Sequence, residues 1–353
     1  MGFVRVLSVL ALALLVGGAL YYHSQKPRVF ILHSYEPDYV WTEGVNEGLE
    51  RVIEDWSDVH VNTHYMFTKR FDSEDALRRA GVQARNAIDR WKPQIIIATD
   101  NLAHSLVVKE FVNHPDIQIV FAGINGPIAP FGYDPKESDP VPLNVTGILE
   151  DRSLLPARDA LLALEPLDKP IAPWDGSRPI RVRYLMDKSK SVQADRPKIE
   201  GFDWAPIEFV GSVSVRDYPA WQAEVLATKE IADVIIVTNY RQLHRTPEDS
   251  TFVPPEDVLE WTEKNGGVPV VGLNFFGTAD GATFSVGTSP IEQGQVAAEL
   301  ADGLMAGADA RQLGIRPNIY FLVAMSESRL ARHGLKLPPI YEAFSRATDT
   351  YQE

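Results

Sequence analysis

The 353-residue chain has no cysteine. That absence excludes disulfides, thiolate metal sites, a thiol nucleophile and a lipid-modified cysteine. A basic surface is missing too: 34 Lys and Arg stand against 48 Asp and Glu, a formal net charge of -14. Nucleic-acid binding calls for basic patches, and loose attachment to an anionic membrane calls for a polybasic stretch, so the charge argues against both. No long run of one charge sign occurs, which spreads the acidity over solvated faces. Nucleotide and hydrolase signatures are absent: no P-loop, no G-x-G-x-x-G after a strand, no G-x-S-x-G elbow and no H-E-x-x-H. No internal repeat of solenoid length is present.

One apolar run stands out. Arg5 precedes Val6 to Leu20, fifteen residues interrupted only by Ser8. The length suits a signal-peptide core and is short for a free-standing span of roughly 20 residues. Residues 1–27 therefore read as an export signal. The alternative is an uncleaved anchor over residues 3–22, with Tyr21 and Tyr22 at the interface. Either reading puts residues 28–353 outside the cytoplasm.

The rest alternates between short apolar strands and amphipathic helices. Val29–Leu32 and Ile95–Ala98 read as strands covered on both faces, and Ile117–Phe121 as another. Between them, Val45, Leu49, Val52, Ile53 and Trp56 recur at helical spacing, as do Leu77, Ala80, Ala84, Ala87, Ile88 and Trp91. The alternation predicts parallel sheets with helical crossovers. A proline-rich stretch over 126–143 leads into a strand at Val145–Leu149. A second set of units follows, with strands at 181–186, 207–215, 234–238 and 268–273. Ser289, Pro290 and Glu292 form a capping box opening a helix that ends near Gly307. The expected fold class is α/β, two Rossmann-like lobes with parallel sheets joined by crossing hinge strands. Lobe 1 is expected over 28–146 plus 275–353, and lobe 2 over 147–274.

In such a fold, ligands bind beyond the carboxyl ends of the strands. The residues found there are Ser34, Tyr35, Trp41, Thr42, Asp100, Asn101, Asn125, Asn239, Tyr240, Asn274 and Phe275. Trp41, Tyr35, Tyr240 and Phe275 offer flat apolar faces to a ring or aliphatic ligand, with lobe packing as the competing account. The asparagines suit amide, carboxylate or hydroxyl groups, or else cap the next helix or turn. Asp100 either holds an ammonium group or caps the helix that follows. That helix's first amides can receive a carboxylate. His60 and His64 share a strand face, where ordinary packing outweighs a metal pair. Asn144-Val145-Thr146 matches a glycosylation acceptor, a motif too short to carry weight.

The S-Y-x-P-x-Y-x-W-T segment at 34–42 resembles the ABC-transporter substrate-binding protein family of periplasmic-binding protein type 1 fold, in its TrpX-like branch. Later segments are similar in order: IIIATDNLA at 95–103, VFAGIN at 120–125, EQGQVAAELADGLMAG at 292–307 and RLARHGLKLP at 329–338. Ser326 departs from the asparagine frequent in relatives. The resemblance implies a binding protein with no catalytic residue, metal or cofactor, which closes two lobes on a small molecule, an amino acid or another aromatic or polar metabolite. It implies an ABC permease and ATPase as partners. The alternative is a membrane-anchored sensor signalling to a partner kinase or cyclase, since the same domain serves such sensors. A hydrolase-type enzyme, resting only on cleft carboxylates, is the third reading.

Overall fold

The computed structural model describes residues 10, 12, 14–18, 22, 26–152 and 154–353. Most of the expected signal or anchor segment lies outside these. Among the described residues no helix is long and apolar enough to cross a membrane.

In chain order the elements are β1 (Arg28–His33), α1 (Val40–Ile53), β2 (His60–Tyr65), α2 (Glu74–Trp91), β3 (Ile95–Thr99), α3 (Asp100–Leu106), β4 (Gln118–Asn125) and β5 (Val145–Glu150). There follow α4 (Leu154–Leu162), β6 (Glu165–Pro166), β7 (Arg181–Met186), α5 (Lys190–Gly201), β8 (Glu208–Ser214), α6 (Tyr218–Thr228) and β9 (Val234–Val237). Next are α7 (Pro255–Asn265), β10 (Val270–Gly272), β11 (Phe284–Thr288), α8 (Pro290–Met305), α9 (Ala310–Leu313) and β12 (Ile315–Arg316). The chain finishes with β13 (Phe321–Ser326), α10 (Glu327–Arg332), β14 (Leu335–Lys336), α11 (Pro339–Ala347) and β15 (Tyr351–Gln352).

The chain forms two compact units: Met1–Leu149 with Gln293–Arg316, and Glu150–Glu292 with Pro317–Glu353. The first holds the sheet β12-β5-β4-β3-β1-β2. β3 is parallel to both β1 and β4, and all five of its residues are buried, which is why Ile95–Thr99 carries no outward polar position. Phe30, Leu32, Ile96, Ala98, Ile119 and Phe121 build one core face with Ala84 and Ile88 of α2. Close approach rather than volume sets the α1–α8 contact: a Cβ on Gly294 would lie 2.0 Å from Val45 O.

The second unit holds β15-β13-β11-β10-β9-β7-β8. Alternate residues serve its two faces. Tyr184, Val234 and Ile236 join one core, whereas Leu185, Ile235 and Val237 join another around Trp221. The sheet is parallel except between β11 and β13, which run antiparallel. This pairing corrects the expected boundaries. Residues 275–292 and 317–353 lie in the second unit, not with the first, because β11 is hydrogen-bonded to β10 and β13 adds beside it. Only Gln293–Arg316 returns, and the first crossing falls after Leu149 rather than 146.

The capping box at 289–292 is half formed. Glu292 N donates to Ser289 Oγ at 3.3 Å, but the Glu292 carboxylate takes Ile319 N and Tyr320 N at 2.8 and 2.9 Å instead of returning to its own helix. Ser326, the departure from the family pattern, caps α10 by accepting from Arg329 N. Asn144 is buried, donating to Phe111 O and Ile117 O and accepting from Asn113 N, so its side chain is not an exposed acceptor for a glycan.

Candidate functional site

In the first unit the carboxyl ends of β1, β3 and β4 bring together seven of the expected residues. Ser34 is a structural staple. Its Oγ donates to Thr99 O at 2.7 Å and accepts from Ala103 N at 2.8 Å, while its carbonyl accepts from Thr68 N and Oγ1. Ser34 Oγ thus ties the β1 end to the Ala103 amide, the fourth residue of α3. Asn101 is similarly engaged. Its Nδ2 donates to Asn125 O and its Oδ1 accepts from Asn125 N, both at 2.9 Å, which ties α3 to the end of β4. Gln293 completes the frame: its Oε1 accepts from Gly123 N at 2.8 Å and its Nε2 donates to Leu149 O at 3.0 Å.

Near this frame several buried polar atoms have no hydrogen-bond partner among the described residues. They are Trp41 Nε1, Thr42 Oγ1 and Glu36 Oε2, on side chains 6%, 1% and 3% exposed. Leaving such atoms unpaired in a dry site costs about 1–3 kcal/mol each. Asp100 sits beside Trp41 in a left-handed conformation at φ 65°, which a short polar side chain tolerates better than most. Between them lies Gly123, itself at φ 64°; a Cβ there would stand 3.1 Å from Asp100 Oδ1 and 3.5 Å from Trp41 Nε1. The glycine leaves a corner bordered by an indole donor and a carboxylate acceptor. In the loop between β1 and α1, Tyr35 and Tyr39 meet edge to face at 5.3 Å, and Lys69 Nζ lies 4.6 Å from the centre of the Tyr35 ring.

In the second unit the four expected residues divide. Tyr240 is 1% exposed, its hydroxyl donating to Asp280 Oδ2 at 2.5 Å, and burial pushes its pKa well up. It belongs to the core around Trp221, so the expectation that its ring faces a ligand gives way to packing. Phe275 is half-buried, edge-on to Phe276 at 5.4 Å. Asn274 accepts from Arg152 Nη1 at 2.5 Å and donates to Thr238 O, and Asn239 Nδ2 donates to Ser189 Oγ at 3.0 Å.

Sequence reading missed the charged cluster behind these asparagines. The Arg152 guanidinium bonds Asp195 through Nε at 2.9 Å and also through Nη2, with Glu150 Oε1 3.6 Å away. All three side chains are nearly inaccessible. Burial alone would lower the Arg152 pKa, but Asp195 and Glu150 more than offset that and hold it fully charged. Asp187, directly after β7, accepts from Ser189 N and Gln242 N. The strand-end rule applied to β7 would have found Asp187. Asp195 lies on α5, a helix that Pro197 and weak amphipathicity hide from pattern reading.

No protein-family model and no curated protein matches the sequence. Solved structures do. A conserved domain protein from Vibrio cholerae aligns over 93% of this chain and 100% of its own at 14% identity, with a TM-score of 0.65. An ABC domain from Streptococcus pneumoniae in complex with L-Trp aligns over 91% and 98% at 11% identity, TM-score 0.66. The fold is that of the type 1 periplasmic binding proteins. A carbohydrate transporter solute-binding protein from Agrobacterium radiobacter in complex with D-arabinose also shares this type 1 fold, over 91% and 99% of the two chains at 11% identity, TM-score 0.54. Amino-acid and sugar complexes are both represented, so the type 1 likeness does not single out the TrpX-like branch.

Proposed function

We propose that the chain is an extracytoplasmic solute-binding protein of an ABC-type transport system, holding one small organic ligand between its two units and handing it to a permease driven by an ATPase. The observation that carries this reading is the corner at Gly123. There an unpaired, buried indole N–H and a carboxylate converge at the strand ends, where type 1 folds present ligand-binding groups. Trp41 Nε1 donates to an acceptor on the ligand, and Asp100 accepts from a hydroxyl or ammonium group beside it. Thr42 and Glu36 line the same loop, and Tyr35 supplies an apolar wall. In the second unit the candidate ligand contacts are Asn239, Asn274 and Phe275, with Arg152 bonded to Asn274. Binding favours the closed arrangement by bridging both units, and closure is the state a permease reads. This chemistry requires no cofactor and no catalytic residue.

Calorimetric screening of L-amino acids, pentoses and purines tests the reading. One class should bind, and Trp41→Phe, which keeps an aromatic ring and deletes the N–H, should weaken it about tenfold, the value of one hydrogen bond. Gly123→Val should abolish binding by filling the corner. Affinity unchanged in Trp41→Phe, or no ligand in any class, would refute it.

A further inference from the structure

The second unit has an apolar face that the described residues leave uncovered. α4, β13 and α11 surround an open cavity of about 300 Å³, lined by apolar side chains including Leu155, Phe321, Val323, Ile340 and Phe344, with Asp159 as its one charged residue among those described. α11 shows how the face arises. Its inward side carries Tyr341, packed on the core, and the fully buried Ser345. The outward side carries Ile340 and Phe344, one turn apart and 58% and 53% exposed, where a solvated helix would place polar residues. Leu155 at 51% and Phe321 at 40% continue the surface.

We propose that this face is the contact between two copies of the chain, paired about a two-fold axis. Area is the first argument. With Leu162 added, which lies on the same stripe of α4 as Leu155, the exposed apolar side chains amount to roughly 400 Å², taking ~150–200 Å² for each when fully exposed. A homodimer interface of ordinary size covers about 800 Å² per partner, about 65% of it apolar, hence ~520 Å². The face supplies most of that area. Charge is the second argument. α4 carries Arg158 and Asp159, and α11 carries Glu342 and Arg346, so both helices are neutral on a chain of net charge -14. Two copies meet there without the repulsion that the rest of their surfaces would impose. The same neutrality disfavours an anionic membrane, which needs a basic rim. In the paired arrangement Ile340 and Phe344 of one copy pack over the cavity of the other.

Sedimentation velocity of the full chain over about 1–100 µM tests the proposal, since dimer content follows protomer concentration. The chain should sediment as a dimer. Ile340→Glu with Phe344→Glu should raise the dimer Kd by about 100-fold or more with an unchanged circular-dichroism spectrum, as expected for side chains central to an interface. The absence of cysteine gives an independent arm that does not depend on tolerating glutamate. Ile340→Cys and Phe344→Cys each introduce a sole thiol, and a bis-maleimide should join two chains through at least one of them. Leu143→Cys, exposed in the other unit, should stay uncrosslinked. A monomer at every concentration, a dimer that survives both glutamates, or no crosslink at 340 and 344 overturns the proposal. A monomer that takes up an apolar dye at this face, lost in the glutamate variant, would assign the surface to a small ligand and overturn it as well.

Discussion

Mild acid should unfold the first unit through two histidines. His33 and His104 are fully buried there, and burial pushes the pKa of each down from 6.5 to about 3. The geometry at His104 supports a neutral ring. A carbonyl oxygen only accepts, so Nε2 carries the proton that bonds Ala98 O at 3.1 Å, and Nδ1 accepts from the Tyr133 hydroxyl at 2.8 Å. A second proton on Nδ1 would point at that hydroxyl, on a fully buried side chain. His33 is stacked on Tyr65 at 4.9 Å with Nδ1 3.0 Å from Thr99 Oγ1. Because the folded pKa lies below the unfolded one, the unfolded chain binds more protons as pH falls below 6.5. The stability is complete above that value and is lost towards pH 3. Each histidine should therefore cost about 2.7 kcal/mol by pH 4.5, and the pair about 5 kcal/mol, comparable with the whole stability of a small domain. Asp280 and Glu292, whose carboxyl pKa values are raised by burial, act in the opposite direction, and both lie in the second unit. Urea melts at pH 7, 6, 5 and 4.5 on the parent and on His104→Gln isolate the term. The glutamine amide can still donate to Ala98 O but does not titrate, so the acid loss should shrink by about half. Equal losses in the two proteins would refute the reasoning.

The charged cluster and the close approaches give further expectations. Arg152→Met strands the Asp195 and Glu150 carboxylates in a nearly dry site and should cost about 3–5 kcal/mol in urea denaturation, with the Arg152→Met/Asp195→Leu pair recovering much of it. Gly294→Val forces side-chain atoms into Val45 O on α1 and should lower stability by at least about 2–3 kcal/mol, read as a fall in Tm. Tyr240→Phe removes one of the hydrogen bonds to Asp280 while Arg241 Nη2 keeps another at 2.5 Å, so the loss should be only about 1 kcal/mol. Its ligand affinity should not change, since the ring lies in the core; a drop in affinity at constant stability would return Tyr240 to the site.

What could be read from the sequence follows from which forces act locally. Ile95–Ala98 and Val234–Val237 announce themselves because a strand covered on both faces has no polar position, and α2 does so because Leu77, Ala84 and Ile88 share one buried stripe. Which sheet a strand joins is not local. Phe284–Thr288 and Phe321–Ser326 look like any apolar strand, and only their hydrogen bonding to each other and to β10 places them in the second unit. The site obeys the same division. The strand-end rule picks out Ser34, Trp41, Asp100, Asn101, Asn239 and Asn274 as candidates, because polar residues gather where the sheets stop. Their roles depend on partners more than 20 residues away. Ser34 and Asn101 spend their hydrogen bonds on the frame, and Asn274 is held by Arg152. Glu36 Oε2 in the first loop, and Trp41 Nε1 and Thr42 Oγ1 at the start of α1, have no hydrogen-bond partner among the described residues. Unpaired buried polar atoms are costly, and that cost is the ground on which a ligand is proposed. This is also why Trp41→Phe, rather than Ser34→Ala, is the informative substitution: it removes a donor that the protein itself does not use.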